Sequence, residues 1–402
     1  EGPVGLSIRK TVSWASSTAK GATTGGYLGQ PALTIKSDLK DEKEVRYVVA
    51  HEVGHLFQRQ MTTNLTTSWL DEAMSEWAAF RTIGADAFDL DGMTGDQDAV
   101  QVVTAGLPDG FGGVSSSHIY GSAAWVLWLA HAKGDGAILN AYKALDWSPT
   151  HWASAHKTLE TATGQSIGLL VKAFGEDFWM AAFPPADKVS WTASLQAMGE
   201  QEVLALDPGK GVSLTLPARP ALSSRRWRIP VATADAAKVN VGSIVLRAGG
   251  LGSAADVSIW HQSTLSADPV APLVVTRLDD SKPFAILDNV QSGVYWVLHN
   301  RWATSGTGQG GFSVELPRIA SISPTSAKAG QLVLVTGVHL GGQPGQLVVG
   351  GQTVQPFSGW TGTSVSFFLP AFPNTSAVSV RIITAEGAKT NETMLEVLSD
   401  PP

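Results

Sequence analysis

The chain has 402 residues, a formal net charge of −7 at pH 7 and no cysteine. Its acidic balance argues against nucleic acid or an anionic membrane surface as a partner. No apolar run reaches the roughly 18 residues that a membrane-spanning helix needs. The lack of cysteine excludes disulfides and thiolate metal ligands.

Small and uncharged residues are unusually frequent. Only 16% of the residues are charged, against roughly 25% in ordinary soluble domains, and 42 are glycine. The length allows roughly two to four domains. Low charge with many Gly, Ser and Thr residues is typical of exported bacterial proteins with β-rich modules, so we predict a secreted or cell-surface location.

Short strands are predicted within the first 36 residues, where apolar and polar residues alternate. A helix follows that carries His51-Glu52-Val53-Gly54-His55. A candidate N-cap and first-turn acids are supplied by Ser37, Asp38, Asp41 and Glu42. The two histidines, four residues apart, lie on one helix face, where both can bind one tetrahedral Zn²⁺ with Glu52 beside them as a proton acceptor.

A second helix is predicted from about Trp69 to Arg81, with Gly84 as its stop. It carries Glu72 and Glu76 one turn apart on a common face. One carboxylate can reach the metal, while the other holds a ligand histidine by its far ring nitrogen. The alternative is an ordinary solvated acidic face.

These two helices resemble the gluzincins, the zinc peptidases that combine H-E-x-x-H with a downstream glutamate. The phrase Trp69-Leu70-Asp71-Glu72-Ala73 is similar to the "W-L-x-E-[GA]" helix of that group. The metzincin pattern does not fit, because Gln58 and Met61 stand where it requires glycine and histidine.

The resemblance implies a role for each residue of the motif. His51, His55 and Glu72 would be the zinc ligands and Glu52 the general base, while Glu76 would orient the first histidine.

The same resemblance implies an edge strand near residues 26–35 that pairs with an extended polypeptide substrate. A plain sheet strand packed on the helix, without a role in substrate binding, is the alternative.

The segment from Ala85 to Ser117 is rich in glycine and aspartate. Part of it resembles a calcium loop, although Ala87 stands at the first ligand position. The candidate Ca²⁺ residues are Asp89, Asp91, Asp96 and Asp98. Solvated Asp-Gly turns are the alternative.

A helix predicted from His118 to Ala130 and ending near Gly134 is apolar nearly all round, and therefore buried. Resemblance to aminopeptidase-like gluzincins implies that Tyr120, in its first turn, donates its hydroxyl to the developing oxyanion. A buried tyrosine bonded to a backbone carbonyl is the alternative, and His118 is the substitute donor. Three further helices are predicted, over about 135–145, 151–161 and 166–182.

After Pro185 the apolar period changes to two, which predicts a β-sandwich over residues 186–316. Trp260 and Trp296 can form a ligand platform or pack in its core. Residues 317–402 resemble an IPT/TIG domain, an immunoglobulin-like module, through the opening Pro317–Ser326 and the turn at Gly337. That resemblance implies a spacer or adhesive element.

The predicted fold is therefore multidomain. An α+β zincin-like catalytic domain with a small N-terminal sheet and a helical lobe (1–185) precedes two all-β sandwiches, the last one immunoglobulin-like. The predicted function is a secreted zinc endopeptidase, since no Gly-x-Met-Glu-Asn segment is present to fix a substrate amino terminus. The alternatives are a surface-binding or adhesive protein with an inactive peptidase lobe, and a zinc hydrolase for a non-peptide amide or ester. In each case the β-domains can hold an extracellular polymer or surface ligand.

Overall fold

The computed structural model of the protein describes fifteen stretches of the chain. They are residues 5–9, 21–24, 32–39, 41–61, 69–84, 122–144, 155–179, 204–207, 211–219, 221–233, 235–236, 242–263, 273–357, 359–373 and 376–398. The chain forms two compact units, so that the protein is multidomain with mixed α and β structure. The three predicted domain boundaries stay a prediction.

The first unit consists of Glu1–Glu200 with two later segments, Arg219–Arg225 and Asn300–Gly308. Its three-stranded sheet contains β1 (Gly5–Arg9), β2 (Gly21–Thr24) and β3 (Ala32–Lys36). Its described helices are α1 (Glu42–Met61), α2 (Trp69–Ile83), α3 (Ala123–Lys133), α4 (Asp135–Ala144), α5 (Ala155–Thr163) and α6 (Ile167–Trp179).

The predicted edge strand is wrong for the part that the structure describes. β3 is the central strand, parallel to β1 on one side and antiparallel to β2 on the other. Its main-chain groups are therefore paired within the sheet and are not open to a substrate. The alternation of Leu33 and Ile35 predicts the face that meets the core, but alternation cannot distinguish a central strand from an edge. Residues 26–31 lie outside the described stretches.

The ends of α1 and α2 follow from their sequences. Asp41 caps α1, because its Oδ1 accepts a hydrogen bond of 2.8 Å from the backbone N–H of Glu44, as the N-cap prediction required. α2 ends at Gly84, whose φ of +78° is left-handed and whose N–H bonds to the Phe80 carbonyl. Both helices pack with β3 in one apolar cluster that includes Val48 and Phe80.

The remaining helices of the first unit share an aromatic core. α3 is buried nearly all round, as predicted from its composition. The Trp125 ring lies 6.3 Å from that of Trp69, and the Trp128 ring lies 5.6 Å from that of Phe174. These contacts join α3 to α2 and to α6.

Two later segments of the chain pack on α6. Trp179 Nε1 donates a hydrogen bond of 2.8 Å to Ser224 Oγ, and Lys172 Nζ lies 4.1 Å from the centre of the Trp302 ring. A Cβ added at Gly168 would lie only 2.5 Å from the Trp302 carbonyl oxygen. The backbone of α6 therefore approaches these segments as closely as glycine permits.

The second unit begins with a β-sandwich, as the period of two predicted. Its sheets have the strand orders β5-β10-β7-β8 and β4-β11-β6-β9, and they enclose an apolar core around Trp227 and Phe312. The strands are β4 (Val212–Arg219), β5 (Ser223–Val231), β6 (Ile244–Gly249), β7 (Ala255–Gln262), β8 (Leu273–Leu278), β9 (Phe284–Leu287), β10 (Gly293–Arg301) and β11 (Gly308–Glu315).

Trp260 and Trp296 lie outside this core and are half-buried. Trp296 Nε1 donates a hydrogen bond to Gln262 Oε1, and the Arg226 guanidinium lies 4.0 Å from the centre of the Trp296 ring. Neither tryptophan is therefore part of the apolar core cluster of the sandwich, and a ligand platform stays a prediction.

A second β-rich module follows, built from a three-stranded sheet (β12-β14-β17) and a five-stranded sheet (β13-β19-β18-β15-β16). Its immunoglobulin-like fold stays a prediction. Its core includes Val335, Phe367 and Val380. The strands are β12 (Arg318–Ser323), β13 (Ser326–Ala327), β14 (Leu332–Val338), β15 (Gln346–Val349), β16 (Gln352–Val354), β17 (Ser364–Phe368), β18 (Ala377–Ile383) and β19 (Thr393–Val397). Across the described stretches, none of the helices has the length and hydropathy required to cross a bilayer.

The sandwich and the second β-rich module join through backbone contacts within the second unit. The Ser243 N–H donates to the Lys389 carbonyl at 2.7 Å, and Ser243 Oγ accepts from the Lys389 N–H at 2.9 Å. Arg247 forms ion pairs with both Glu315 and Glu386. The joint therefore combines backbone pairing with charge pairing.

Candidate metal centre

Three predicted ligands meet between α1 and α2. His51 Nε2 lies 3.1 Å from His55 Nε2, and Glu72 Oε2 lies 3.3 Å from each of them. The i, i+4 spacing places the two imidazoles next to each other on one face of α1. The Glu72 carboxylate reaches them from α2. Within the stretches that the structure describes, this is the one group of three His, Asp or Glu side chains that converges in this way.

The donor set fits a metal ion. In a tetrahedral site with metal–ligand distances of about 2.0–2.1 Å, neighbouring ligand atoms are about 3.3 Å apart. The observed separations are of this size. The His55 side chain is 13% exposed and that of Glu72 is 18% exposed, so both ligands retain some contact with solvent. The group could therefore hold a metal ion.

Behind His51 lies a fully buried carboxylate. His51 Nδ1 is 2.7 Å from Glu76 Oε1. The hydroxyl of Tyr47 in turn donates to the Glu76 carboxylate, lying 2.6 Å from both of its oxygens. Glu76 thus occupies the position that the sequence predicted for it, and Tyr47 is a partner that the sequence did not reveal.

Behind His55 lies a neutral amide. His55 Nδ1 is 2.7 Å from Gln58 Oε1 and 3.1 Å from Ser75 Oγ. Gln58 Nε2 donates a hydrogen bond of 2.6 Å to the backbone carbonyl of Asp71, the residue before Glu72. The two imidazoles are therefore supported by different chemistry.

The buried carboxylates make the centre favour positive charge. Burial lowers the pKa of His51, but the Glu76 and Glu72 carboxylates outweigh burial and hold that pKa well above its ordinary value. Burial raises the pKa of Glu72, but hydrogen bonds with His51 and His55 hold that pKa well below its ordinary value. Glu72 is therefore an anion at neutral pH, as a metal ligand has to be.

The remaining predicted residues differ in what the structure describes. Glu52 is buried on α1, between the two histidines in sequence. Tyr120 and its substitute His118 lie outside the described stretches, as do the candidate calcium residues Asp89 to Asp98.

No protein-family model matches the chain, and no curated protein matches it. Among solved structures, an auxiliary nutrient binding protein from Bacteroides thetaiotaomicron VPI-5482 is 23% identical over 21% of each chain, with a TM-score of 0.19. A gamma-CGTase from alkalophilic Bacillus clarkii is 12% identical over 47% of this chain and 26% of its own, with a TM-score of 0.20.

A third solved structure is SGBP-B of a Bacteroides ovatus mixed-linkage glucan utilization locus, in complex with a mixed-linkage heptasaccharide. It is 18% identical over 50% of this chain and 43% of its own, with a TM-score of 0.18. The chain thus spans less than half the length of each of these three proteins. At these TM-scores the likenesses carry no argument about fold or activity.

Proposed function

We propose that the chain is a secreted, zinc-dependent endopeptidase of the gluzincin type, with a zincin-like catalytic domain. The observation that carries the proposal is the convergence of His51, His55 and Glu72 at ligand-to-ligand distances of 3.1 to 3.3 Å. Two imidazoles and one carboxylate are the ligand set of known zinc peptidases. The carboxylate behind His51 adds support, because such partners orient ligand histidines.

The chain's own residues have separate roles in this proposal. Glu52 accepts a proton from the attacking water on a carboxylate oxygen and passes it to the leaving amine. Zinc at this centre would supply a Lewis acid that polarises the scissile carbonyl and makes water more acidic. Tyr120, or His118 in its place, would donate a hydrogen bond to the developing oxyanion.

We propose an extended polypeptide as the substrate. Because β3 is paired on both sides, main-chain pairing with the substrate would use β1 or β2, the edge strands of the described sheet. The two β-rich modules would hold a surface or polymer ligand.

Three measurements on the full chain test this function together. Elemental analysis should find one zinc ion per chain, and a peptide-library digest should show internal cleavage that a chelator abolishes. Glu52→Gln should keep zinc but lower the rate by roughly 10²–10⁴-fold, because it removes the proton acceptor and keeps the shape.

Other outcomes favour the alternatives. Full turnover by the Glu52→Gln variant would exclude the general-base role. Zinc binding with hydrolysis of esters or non-peptide amides only would favour the other type of hydrolase. Zinc binding without hydrolysis of any substrate class would favour an adhesive protein with an inactive lobe.

A further inference from the structure

The side chain of Gln58 links α1 and α2, the two helices that carry the predicted metal ligands, by hydrogen bonds. Gln58 follows His55 by three residues on α1, and its side chain is buried. Its amide contacts the ring of His55 on one side and the backbone of α2 on the other. None of these contacts belongs to the H-E-x-x-H pattern.

The hydrogen-bond partners determine which way the amide of Gln58 points. A backbone carbonyl can only accept, so the atom 2.6 Å from the Asp71 oxygen must be the NH₂ nitrogen. The amide oxygen of Gln58 is then the atom 2.7 Å from His55 Nδ1. A reversed amide would place two oxygens against each other at one end.

This orientation fixes the state of the His55 ring. An amide oxygen can only accept, so His55 Nδ1 must carry the proton and Nε2 keeps its lone pair. Nε2 is the atom that faces His51 and Glu72. The other neighbour of Nδ1, the Ser75 hydroxyl, can either donate or accept, and therefore cannot select a tautomer by itself.

The same side chain also sets the place of the third ligand. Asp71 directly precedes Glu72 in the first turn of α2. A bond from Gln58 to the Asp71 carbonyl therefore links the part of α1 that holds His55 to the turn of α2 that holds Glu72.

We propose that Gln58 is a positioning residue for the metal centre. It selects the His55 tautomer whose Nε2 can bind a metal, and it fixes the position of Glu72 relative to His55. This inference rests on the proposed metal site, and it does not depend on the reaction that the site catalyses. It predicts that Gln58 controls metal affinity without contacting the metal.

The test compares three variants of the full chain. Gln58→Met keeps the volume and removes the hydrogen bonds to His55, to Asp71 and to the Tyr142 hydroxyl. Gln58→Glu keeps an acceptor for His55 and loses the donor to Asp71. Thr82→Ala is the control, because it removes one exposed hydrogen bond, to the Ala78 carbonyl, on the same helix as Glu72. Zinc affinity is measured by competition with a chromogenic chelator, ligand geometry by the visible absorption of the Co²⁺ form, and folding by circular dichroism.

Gln58→Met should weaken zinc binding by about 10–100-fold, the usual effect of removing a partner of a ligand histidine, and should alter the Co²⁺ spectrum of a folded chain. Gln58→Glu should also weaken zinc binding, because its carboxylate still accepts from His55 but sets an oxygen against the Asp71 carbonyl, and Thr82→Ala should match the wild type. A Gln58→Met chain with wild-type zinc affinity would overturn the inference, and a Gln58→Glu chain with wild-type zinc affinity would overturn the part that assigns a role to the bond to Asp71. Failure of the wild type to bind either ion would overturn the inference and the proposed function together. A chain that follows the expected affinities but hydrolyses nothing would refute the peptidase proposal alone.

Discussion

Glu76 has no exposed surface, although it is a carboxylate in the helical part of the first unit. Removing a charge from water costs several kcal/mol unless partners replace the lost solvation. Tyr47 and His51 are the partners that contact the carboxylate here. Because burying the Glu76 carboxylate costs free energy, we infer that its role is to orient His51 rather than to stabilise the fold.

Tyr47→Phe tests this arrangement. The substitution removes the hydroxyl that donates to both Glu76 oxygens, so that a buried acceptor loses its donor. The free energy of unfolding should fall by about 1–3 kcal/mol, and zinc affinity should fall by about tenfold or more because Glu76 holds His51 less firmly. Chemical denaturation and chelator competition measure the two effects.

Tyr295→Phe is the matched control for this experiment. It also removes a buried tyrosine hydroxyl, the acceptor for the Gln291 N–H, but it lies in the second unit. Its zinc affinity should equal that of the wild type. Equal zinc affinity in both variants would show that Tyr47 does not act through His51.

At the residue scale, helical periodicity predicted where His51, His55, Glu72 and Glu76 lie. Those positions depend on spacing within one helix and on a recognisable phrase in the next. Gln58 was noted only as a mismatch to another zinc pattern, although it lies three residues after His55. Its role could not be predicted, because it depends on which atom of α2 faces it, and that follows from tertiary packing.

At the element scale, the distance between α1 and α2 depends on a glycine inside the motif. A Cβ on Gly54 would lie 3.0 Å from Ser75 Cα and 3.1 Å from Ser75 Oγ. The missing side chain therefore lets α2 approach closely enough for Glu72 to reach both histidines. Glycine in a helix otherwise lowers stability by roughly 1 kcal/mol relative to alanine, so its presence here serves packing.

Gly54→Ala should therefore push the helices apart by a few tenths of an ångström and weaken zinc binding. The better helix propensity of alanine offsets part of an overpacking cost of about 1–3 kcal/mol, so metal affinity should change more clearly than stability. Chelator competition and thermal unfolding on the same samples measure both quantities.

Gly136→Ala is the control, because a Cβ on Gly136 of α4 meets nothing within 4 Å. It should gain roughly 0.5–1 kcal/mol of stability and keep wild-type zinc affinity. If Gly54→Ala behaved in the same way as Gly136→Ala, close helix approach would not determine the geometry of the centre.

The positions of the helices and strands along the chain were largely predictable from the sequence, whereas the order of the strands within each sheet was not. Caps and glycine stops marked α1 and α2, and a period of two marked the strands of both β-rich modules. The order of β1, β2 and β3 depends on hydrogen bonds between distant segments, which leave no periodic trace. That is why β3 was expected at an edge and lies in the centre.

For the whole molecule, the joint between the sandwich and the second β-rich module depends on another close approach. A Cβ on Gly242 would lie 2.6 Å from the Lys389 carbonyl oxygen and 3.0 Å from the Thr390 carbonyl carbon. These are backbone atoms, so the close contact cannot be relieved by a change of side-chain rotamer. The contact also adjoins the Ser243–Lys389 hydrogen bonds.

Gly242→Ala should break this joint and uncouple the two modules. We expect the second β-rich module to melt in a calorimetric transition of its own, separate from that of the sandwich, because each has its own apolar core. Gly249→Ala is the control, since a Cβ there meets nothing within 4 Å. A melting profile identical to that of the control would mean that the joint does not couple the modules.

The packing of Ser224 and Trp302 against α6 has a practical consequence for anyone who expresses this protein in pieces. A gene fragment that stops after α6 would encode the proposed metal ligands but would lack the segments that cover Gly168, Lys172 and Trp179. Such a fragment would expose the Trp179 side chain to solvent and would be prone to aggregate. An inactive truncation would therefore say nothing about catalysis, and the smallest informative sample is one that extends at least through Gly308.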